Sequence, residues 1–286
     1  MMLDTSMTLP DGRVLAYTEL GASDGPLVIY FHGAPTSRLD LAAYDEVFTG
    51  SGVRVVSPDR PGYGRSSPQP GRRLGDWPSD VAALADHLGA KRFAVMGISS
   101  GAPYVAVCAA LLPERVADAA MVAGVTDFGW PGTWQGFAEF EAAVMRLGDE
   151  AAATRWCEEQ FGADGSRFFE AVAEDPMAPA DEAFMADETV MGWLTATFGE
   201  AFRQGVGGYA QDATVQGQPW AFDPQAIVVP MLVVHGEADT LAPLAHARHT
   251  AELIPNSTLR TLPNQGHICL FNELPPISAE LAASLR

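Results

Sequence analysis

Two rhythms of apolar and polar positions run through the chain. Pro26–Phe31, Val53–Val56, Arg92–Met96, Ala117–Ala123 and Ala226–Val234 are short, nearly unbroken apolar runs, the pattern of strands covered on both faces. Ser257–Leu262 is a further strand candidate. Between these runs lie segments with helical spacing: Leu39–Phe48, Trp77–Leu88, Ala102–Leu112, Leu244–Leu253 and Cys269–Leu285. At the start, Ser6–Leu9 and Arg13–Leu20 flank Asp11-Gly12, a hairpin signal. Strand and helix in regular alternation predict βαβ units, a mainly parallel sheet and right-handed crossovers. The fold class is therefore α/β.

The alternation stops at Thr126. From there to about Gln216 no convincing strand pattern occurs. Amphipathic runs predict helices at about Trp134–Leu147, Asp149–Phe161, Arg167–Ala173 and Asp181–Phe202, and Gly205–Gly208 and Gln216–Trp220 read as the return linker. Composition shifts at the same boundaries. Residues 127–220 hold 17 Asp and Glu against 4 Arg, with five of the six tryptophans and nine of the fourteen phenylalanines. The organisation predicted is a core from residues 1–126 and 217–286, with an all-helical insertion at 127–216.

At 286 residues, 48% hydrophobic and 19% charged, the chain is long and apolar enough for a substantial core. Its net charge is −19 and Lys91 is its single lysine. That acidity argues against nucleic acid or anionic membrane as partner. The first residues, Met1-Met2-Leu3-Asp4-Thr5, lack a basic region and a long apolar run, and nowhere is there an apolar stretch of membrane-spanning length. Cys108, Cys157 and Cys269 are too few and too scattered for a disulfide framework or a thiolate zinc site. The expectation is a cytoplasmic protein of open oligomeric state.

The chemistry gathers at strand ends. Gly97-Ile98-Ser99-Ser100-Gly101 joins a predicted strand to a predicted helix. G-x-S-x-G at such a junction is the nucleophile elbow, where small residues permit a sharp turn that exposes the serine. A second match, Gly21–Gly25 around Ser23, has Pro26 behind it and no helix, and reads as a turn. Serine is a weak nucleophile until a base and an orienting acid activate it. Asp239 follows the strand Ala226–Val234, and His267 follows Ser257–Leu262. A parallel sheet brings such positions to one edge. Asp127 and Glu237 are rival acids. His87 and His235 read as structural, and His246 with His249 lacks the carboxylate or cysteine partner that a metal site needs. The expectation is no metal and no organic cofactor.

His32-Gly33, Asp59–Ser67, Gly97–Gly101, Gly236–Pro243 and Gly266-His267, spaced across nearly the whole chain, resemble the α/β-hydrolase superfamily, in the form with a helical cap. The resemblance implies Ser99 as nucleophile, His267 as general base and then acid, and Asp239 as orienter. It places the oxyanion-hole N–H groups at Ala34 and Ser100 and makes Asp59 and Arg60 braces of their loop. Dehalogenases and epoxide hydrolases of this fold carry aspartate at the elbow, so Ser99 argues against both. The expected activity is hydrolysis of a carboxylic ester of a small or medium, largely uncharged substrate through an acyl-enzyme. Alternatives are an aminopeptidase or amidase resembling proline iminopeptidases, whose usual His-Gly-Gly-Pro-Gly is here His-Gly-Ala-Pro-Thr, or a lactone or C–C bond hydrolase. A non-catalytic receptor on the same fold is a remoter reading. His32, Gly33, Trp130, Trp134, Phe137, Trp193 and Phe198 are the candidate substrate contacts, with the helical insertion expected to lie over the edge carrying Ser99 and His267.

Overall fold

In the computed structural model, which describes residues 2–173 and 175–286, eight strands form one sheet. Along the chain these are β1 (Leu3–Thr8), β2 (Val14–Gly21), β3 (Leu27–Phe31), β4 (Arg54–Pro58), β5 (Phe93–Ile98), β6 (Val116–Val122), β7 (Met231–Gly236) and β8 (Ser257–Leu262). Their spatial order is β1-β2-β4-β3-β5-β6-β7-β8. β2 runs antiparallel to both β1 and β4, and every other pair is parallel.

Period-two alternation divides the core. Ile29, Phe31, Phe93 and Val95 face one layer, with α2 (Trp77–His87), α3 (Ala102–Leu111) and α10 (Leu244–Leu253). Val28, Tyr30, Ala94 and Met96 face the other, with α1 (Asp45–Ser51) and α11 (Leu274–Ala283). Both faces of β3 and β5 are fully buried, which is why those strands read as unbroken apolar runs.

Among the described residues six α-helices lie between β6 and β7: α4 (Glu139–Met145), α5 (Glu150–Phe161), α6 (Phe168–Ala171), α7 (Pro179–Met185), α8 (Glu188–Ala201) and α9 (Gly207–Gln216). Phe161, Phe168, Phe202 and Tyr209 centre a third apolar cluster, which also takes in Val125, Phe128 and Ala242 from the loops after β6 and β7. Among the described residues no helix is long and apolar enough to cross a membrane.

Several predicted elements differ. The run Asp181–Phe202 is two helices, broken where the Asp187 carboxylate caps α8 by accepting the Thr189 N–H at 2.7 Å. Trp134–Ala138 is turn and irregular chain, so only the second half of the first predicted insertion helix is helical. Gly207-Gly208 is not linker but the start of α9, pressed on the loop after β4: a Cβ on Gly208 would lie 2.5 Å from the Gly62 carbonyl. The last helix starts late because Ile268–Glu273 forms a 3₁₀ turn, and the prolines at 275 and 276 open α11.

Candidate active site

Ser99 directly follows β5 and holds φ at +54°. That is a left-handed conformation a serine adopts only where its surroundings impose it. The surroundings here are backbone. A Cβ on Gly101 would lie 2.1 Å from the Phe31 carbonyl, and one on Gly97 would lie 2.7 Å from the Gly101 carbonyl. Strand and helix meet so closely that only glycine fits at either position. The turn they force carries Ser99 into a cavity of about 180 Å³ that His267, Ala34 and Ser100 also line.

Asp239 sits in the loop after β7 and His267 in the loop after β8. His267 Nδ1 is 2.8 Å from Asp239 Oδ2, and the Asp239 side chain is fully buried. Asp239 Oδ1 accepts the Leu241 and Ala242 N–H groups, both at 2.9 Å. His235 Nε2 lies 3.2 Å from Oδ2 and donates to the Ala242 carbonyl at 2.8 Å. Burial alone would raise the Asp239 carboxyl. The charge of His267 and the hydrogen bonds from both histidines outweigh it and hold Asp239 well below the usual carboxylate range. Burial likewise opposes charge on His267, yet Asp239, then Asp181 and Glu141, keep the imidazole above its ordinary value. Asp239 thus selects the tautomer with hydrogen on Nδ1 and leaves Nε2 free to accept. No hydrogen bond joins Ser99 to the ring among the described residues, and such contacts commonly tighten only around substrate.

The loop after β3 is held from beneath. The Gly33 carbonyl accepts from His32 Nδ1 at 2.7 Å, Thr36 Oγ1 at 3.1 Å and Arg60 at 3.3 Å. Arg60 also donates to the His32 carbonyl at 2.5 Å, and its backbone N–H to His32 Nε2 at 3.2 Å. Burial and the neighbouring Arg60 push His32 well down, so it stays neutral. Arg60 is itself fully buried, paired at 2.7 Å with Asp212 of α9, which also takes Arg72 and the Tyr104 hydroxyl. Because the Gly33 carbonyl and the Ala34 N–H share one planar peptide, every bond to that carbonyl fixes where the N–H points. Asp59 closes the neighbouring loop, accepting from Arg38 and from the Arg65 N–H.

Of the sequence candidates, Gly33, Phe137 and Phe198 line the cavity. The other four do not. His32 lies beneath the loop in the bonds just described. Trp130 stacks on His249 at 4.3 Å, and Trp134 lies under the Arg146 guanidinium and against Phe128. Trp193 packs on Phe271 and Tyr44 and donates towards the Leu39 carbonyl.

The cavity wall is mostly apolar, from Phe140, Phe168, Phe169, Leu194 and several methionines, none singled out by the sequence. Two acids share it, Glu141 and Asp175. Burial pushes the Glu141 carboxyl up to about 7, while Tyr209 and His267 pull the other way. Among the described residues the Tyr209 hydroxyl has no hydrogen-bond partner within the normal distance. Asp181 on α7 was also missed, although it accepts the His267 backbone N–H at 2.7 Å.

The rival assignments lie elsewhere. Asp127 accepts the Gly129 and Trp220 N–H groups and ties the two ends of the helical segment. Glu237 takes the Thr261 hydroxyl on the exposed edge. His246 Nε2 faces the Thr133 carbonyl at 2.7 Å and its Nδ1 accepts the Thr126 N–H, while His249 is stacked on Trp130. No group of three or more His, Cys, Asp or Glu placed to hold a metal occurs among the described residues.

Comparison with known proteins matches residues 26–274 to a family model described as alpha/beta hydrolase fold. A bifunctional esterase/perhydrolase of Acinetobacter calcoaceticus is 28% identical, covering 98% of this chain and 99% of that protein. A non-heme chloroperoxidase of Streptomyces lividans is also 28% identical, with coverage of 98% and 99%. Among solved structures, a thermophilic esterase from Thermogutta terrifontis superposes with a TM-score of 0.70 at 21% identity, covering 100% of this chain and 98% of that one.

Proposed function

As the chain belongs to the alpha/beta hydrolase fold family, we propose that it is a serine hydrolase cleaving a carboxylic ester of a small or medium, largely uncharged substrate. In this reading Ser99 Oγ attacks the ester carbonyl while His267 Nε2 takes its proton. The oxyanion forms between the Ala34 and Ser100 N–H groups, whose fixed dipoles need no reorganisation as charge develops. His267 then hands the proton to the leaving alcohol, and an acyl-enzyme remains. Water, deprotonated by His267, releases the acid and restores Ser99. Asp239 stays ionised throughout and stabilises the imidazolium. The helical segment from α4 to α9 serves as a cap: its phenylalanines and methionines form the wall that receives the apolar part of the substrate and keeps bulk water off the carbonyl.

The observation that carries this reading is one cavity lined by strained Ser99, by His267 and by Ala34 and Ser100, with His267 bonded to Asp239 at 2.8 Å. The esterase named among the relatives agrees with it. The test is Ser99→Ala. Hydrolysis of p-nitrophenyl acetate or butyrate should fall by about 10⁴-fold or more, and labelling by a fluorophosphonate should vanish. Esterase activity retained in a clean Ser99→Ala preparation would sink the assignment, and a folded protein whose Ser99 never reacts would favour a receptor.

A second reading, an aminopeptidase or amidase with the same triad, is favoured by Glu141 and Asp175. They are acids in the cavity wall, where among the described residues no arginine or lysine lines the cavity and His267 is the one basic side chain, and a substrate ammonium would add counter-charge. Comparing p-nitrophenyl butyrate with proline p-nitroanilide separates the two. Comparable kcat/KM on the anilide would reverse their order.

A further inference from the structure

The turn that carries His267 is held by the helical segment. Asp181, on α7, is fully buried. Its Oδ2 accepts the His267 N–H at 2.7 Å, and its Oδ1 accepts the Ile268 and Cys269 N–H groups at 2.8 and 2.9 Å. These three donors are the unpaired amides at the start of the 3₁₀ turn Ile268–Glu273, so one carboxylate satisfies all of them. Both partners are shaped for the contact. A Cβ on Gly266 would lie 2.2 Å from Asp181 Oδ2, so the glycine before His267 is what lets the carboxylate approach. No arginine, lysine or histidine forms an ion pair with Asp181 among the described residues, and its charge is spent on the backbone of His267 and its two successors.

We propose that Asp181 is a positioning residue for His267: docked α7 sets the place of the imidazole, so the cap takes part in the chemical step and not only in choosing substrate. The inference rests on the reading of His267 as general base. It also carries an electrostatic consequence. The groups acting on the ring are Asp239 from the loop after β7, with His235 of β7 behind it, Asp181 from α7 and Glu141 from α4. Each of the three carboxylates favours the imidazolium. Removing the Asp181 charge therefore lowers the His267 pKa, and the neutral base persists to lower pH.

The experiment compares Asp181→Asn and Asp181→Ala with Thr197→Val, which cuts another tie of the cap, the Ser37 N–H to Thr197 Oγ1 contact at 3.1 Å on α8. Three readouts are taken: the pH profile of kcat/KM on p-nitrophenyl butyrate, the rate of fluorophosphonate labelling, and the imidazole titration of His267 by NMR in a Ser99→Ala background. Asp181→Asn should move the acid limb and the NMR titration down by roughly half a unit or more. It should lower kcat and labelling rate by about tenfold, with KM changed by less than about twofold, the pattern of a lost transition-state contribution. Thr197→Val should leave the acid limb in place. An unmoved titration and labelling rate in folded Asp181→Asn would overturn the proposal, and so would an equal shift in Thr197→Val. If Asp181→Ala does not fold, the near-isosteric Asn variant carries the test. A protein that labels but hydrolyses no ester would fail the ester reading alone, since labelling and titration still report on Asp181.

Discussion

Asp239→Asn tests the core of the mechanism, because the geometry dictates how the new amide must sit. Oδ1 of Asp239 faces two backbone donors, Leu241 and Ala242, at 2.9 Å. An amide nitrogen placed there would meet two N–H groups head-on, so the asparagine oxygen must take that position. Its NH₂ then occupies the place of Oδ2, 2.8 Å from His267 Nδ1, and donates to it. His267 is driven into the tautomer with hydrogen on Nε2, the atom that must accept the Ser99 proton. The negative charge that favours the imidazolium is lost in the same step. Flipping a catalytic histidine in this way costs about 10⁴-fold in kcat, or about 5 kcal/mol of barrier, although the change of side-chain volume is negligible. The assay is initial-rate hydrolysis of p-nitrophenyl butyrate by the variant between pH 6 and 10, with a thermal melt to confirm the fold. A folded Asp239→Asn within tenfold of the parent kcat would mean that Asp239 does not orient the base, and the triad reading would fail.

The pH dependence has a definite sign: kcat/KM should rise with pH and reach half its plateau above the usual histidine value of about 6.5, because the base must be neutral and His267 is held above that value; an acid midpoint below it would contradict the assignment. Phe198→Ala, which removes a ring lining the cavity and stacked on Phe168, should raise the kcat/KM ratio of octanoate to butyrate ester by about tenfold, in the range of a pocket enlarged by a few methylenes, while Ser99 still reacts with a small fluorophosphonate. An unchanged acyl profile would remove Phe198 from the pocket. Gly101→Ala forces a Cβ to within 2.1 Å of the Phe31 carbonyl and 2.8 Å of the His32 carbonyl, and should cost about 3 kcal/mol in urea unfolding; a loss below about 0.5 kcal/mol, the size of an ordinary surface substitution, would show that strand and helix do not meet that tightly.

Elements that depend on local pattern were legible. β3 and β5 announce themselves because both faces are covered, and the elbow because its glycines answer to a steric demand within a few residues. What stayed hidden depends on partners remote in sequence. Asp181 binds backbone amides 86 positions on, and a backbone N–H leaves no trace in the residue types at either end. Asp212 finds Arg60 152 positions away, and in the sequence it is one of many acids in that segment. The break between α7 and α8 falls where neither glycine nor proline marks it, since a side-chain cap by Asp187 ends the run. The cavity aromatics failed for another reason. Periodicity gives the apolar face of a helix, but a face at a cap seam has two apolar neighbours, the core beneath and the cavity beside it. Trp193 took the first and Phe198 the second, while Trp134 and Phe137 lie in turn and irregular chain, where helical periodicity does not apply.

In the proposed reading, that seam also changes what a cap would be for. On the sequence pattern the insertion would lie over the nucleophile and adjust selectivity, with the chemistry left to the core. Its polar ties run otherwise. Asp212 on α9 pairs with Arg60, which in turn holds the Gly33 carbonyl and so the direction of the Ala34 N–H. Asp181 on α7 holds the His267 turn. The Pro176 carbonyl accepts the hydroxyl of Thr240, next to Asp239, at 2.7 Å, and the Ala138 N–H reaches the Leu241 carbonyl beside the same acid at 3.0 Å. The loops after β3, β8 and β7, which the proposed reading makes oxyanion loop, base turn and acid turn, each take a contact from the segment between β6 and β7. Loops at the end of a parallel sheet are more mobile than the strands and helices they connect. A buried carboxylate from above supplies a further tether at the cost of little apolar surface, and leaves the wall of the cavity free to vary. A chimera carrying another relative's cap should accordingly lose kcat on every ester as well as shift its preference among them, unless the acids at 181 and 212 are carried across with it.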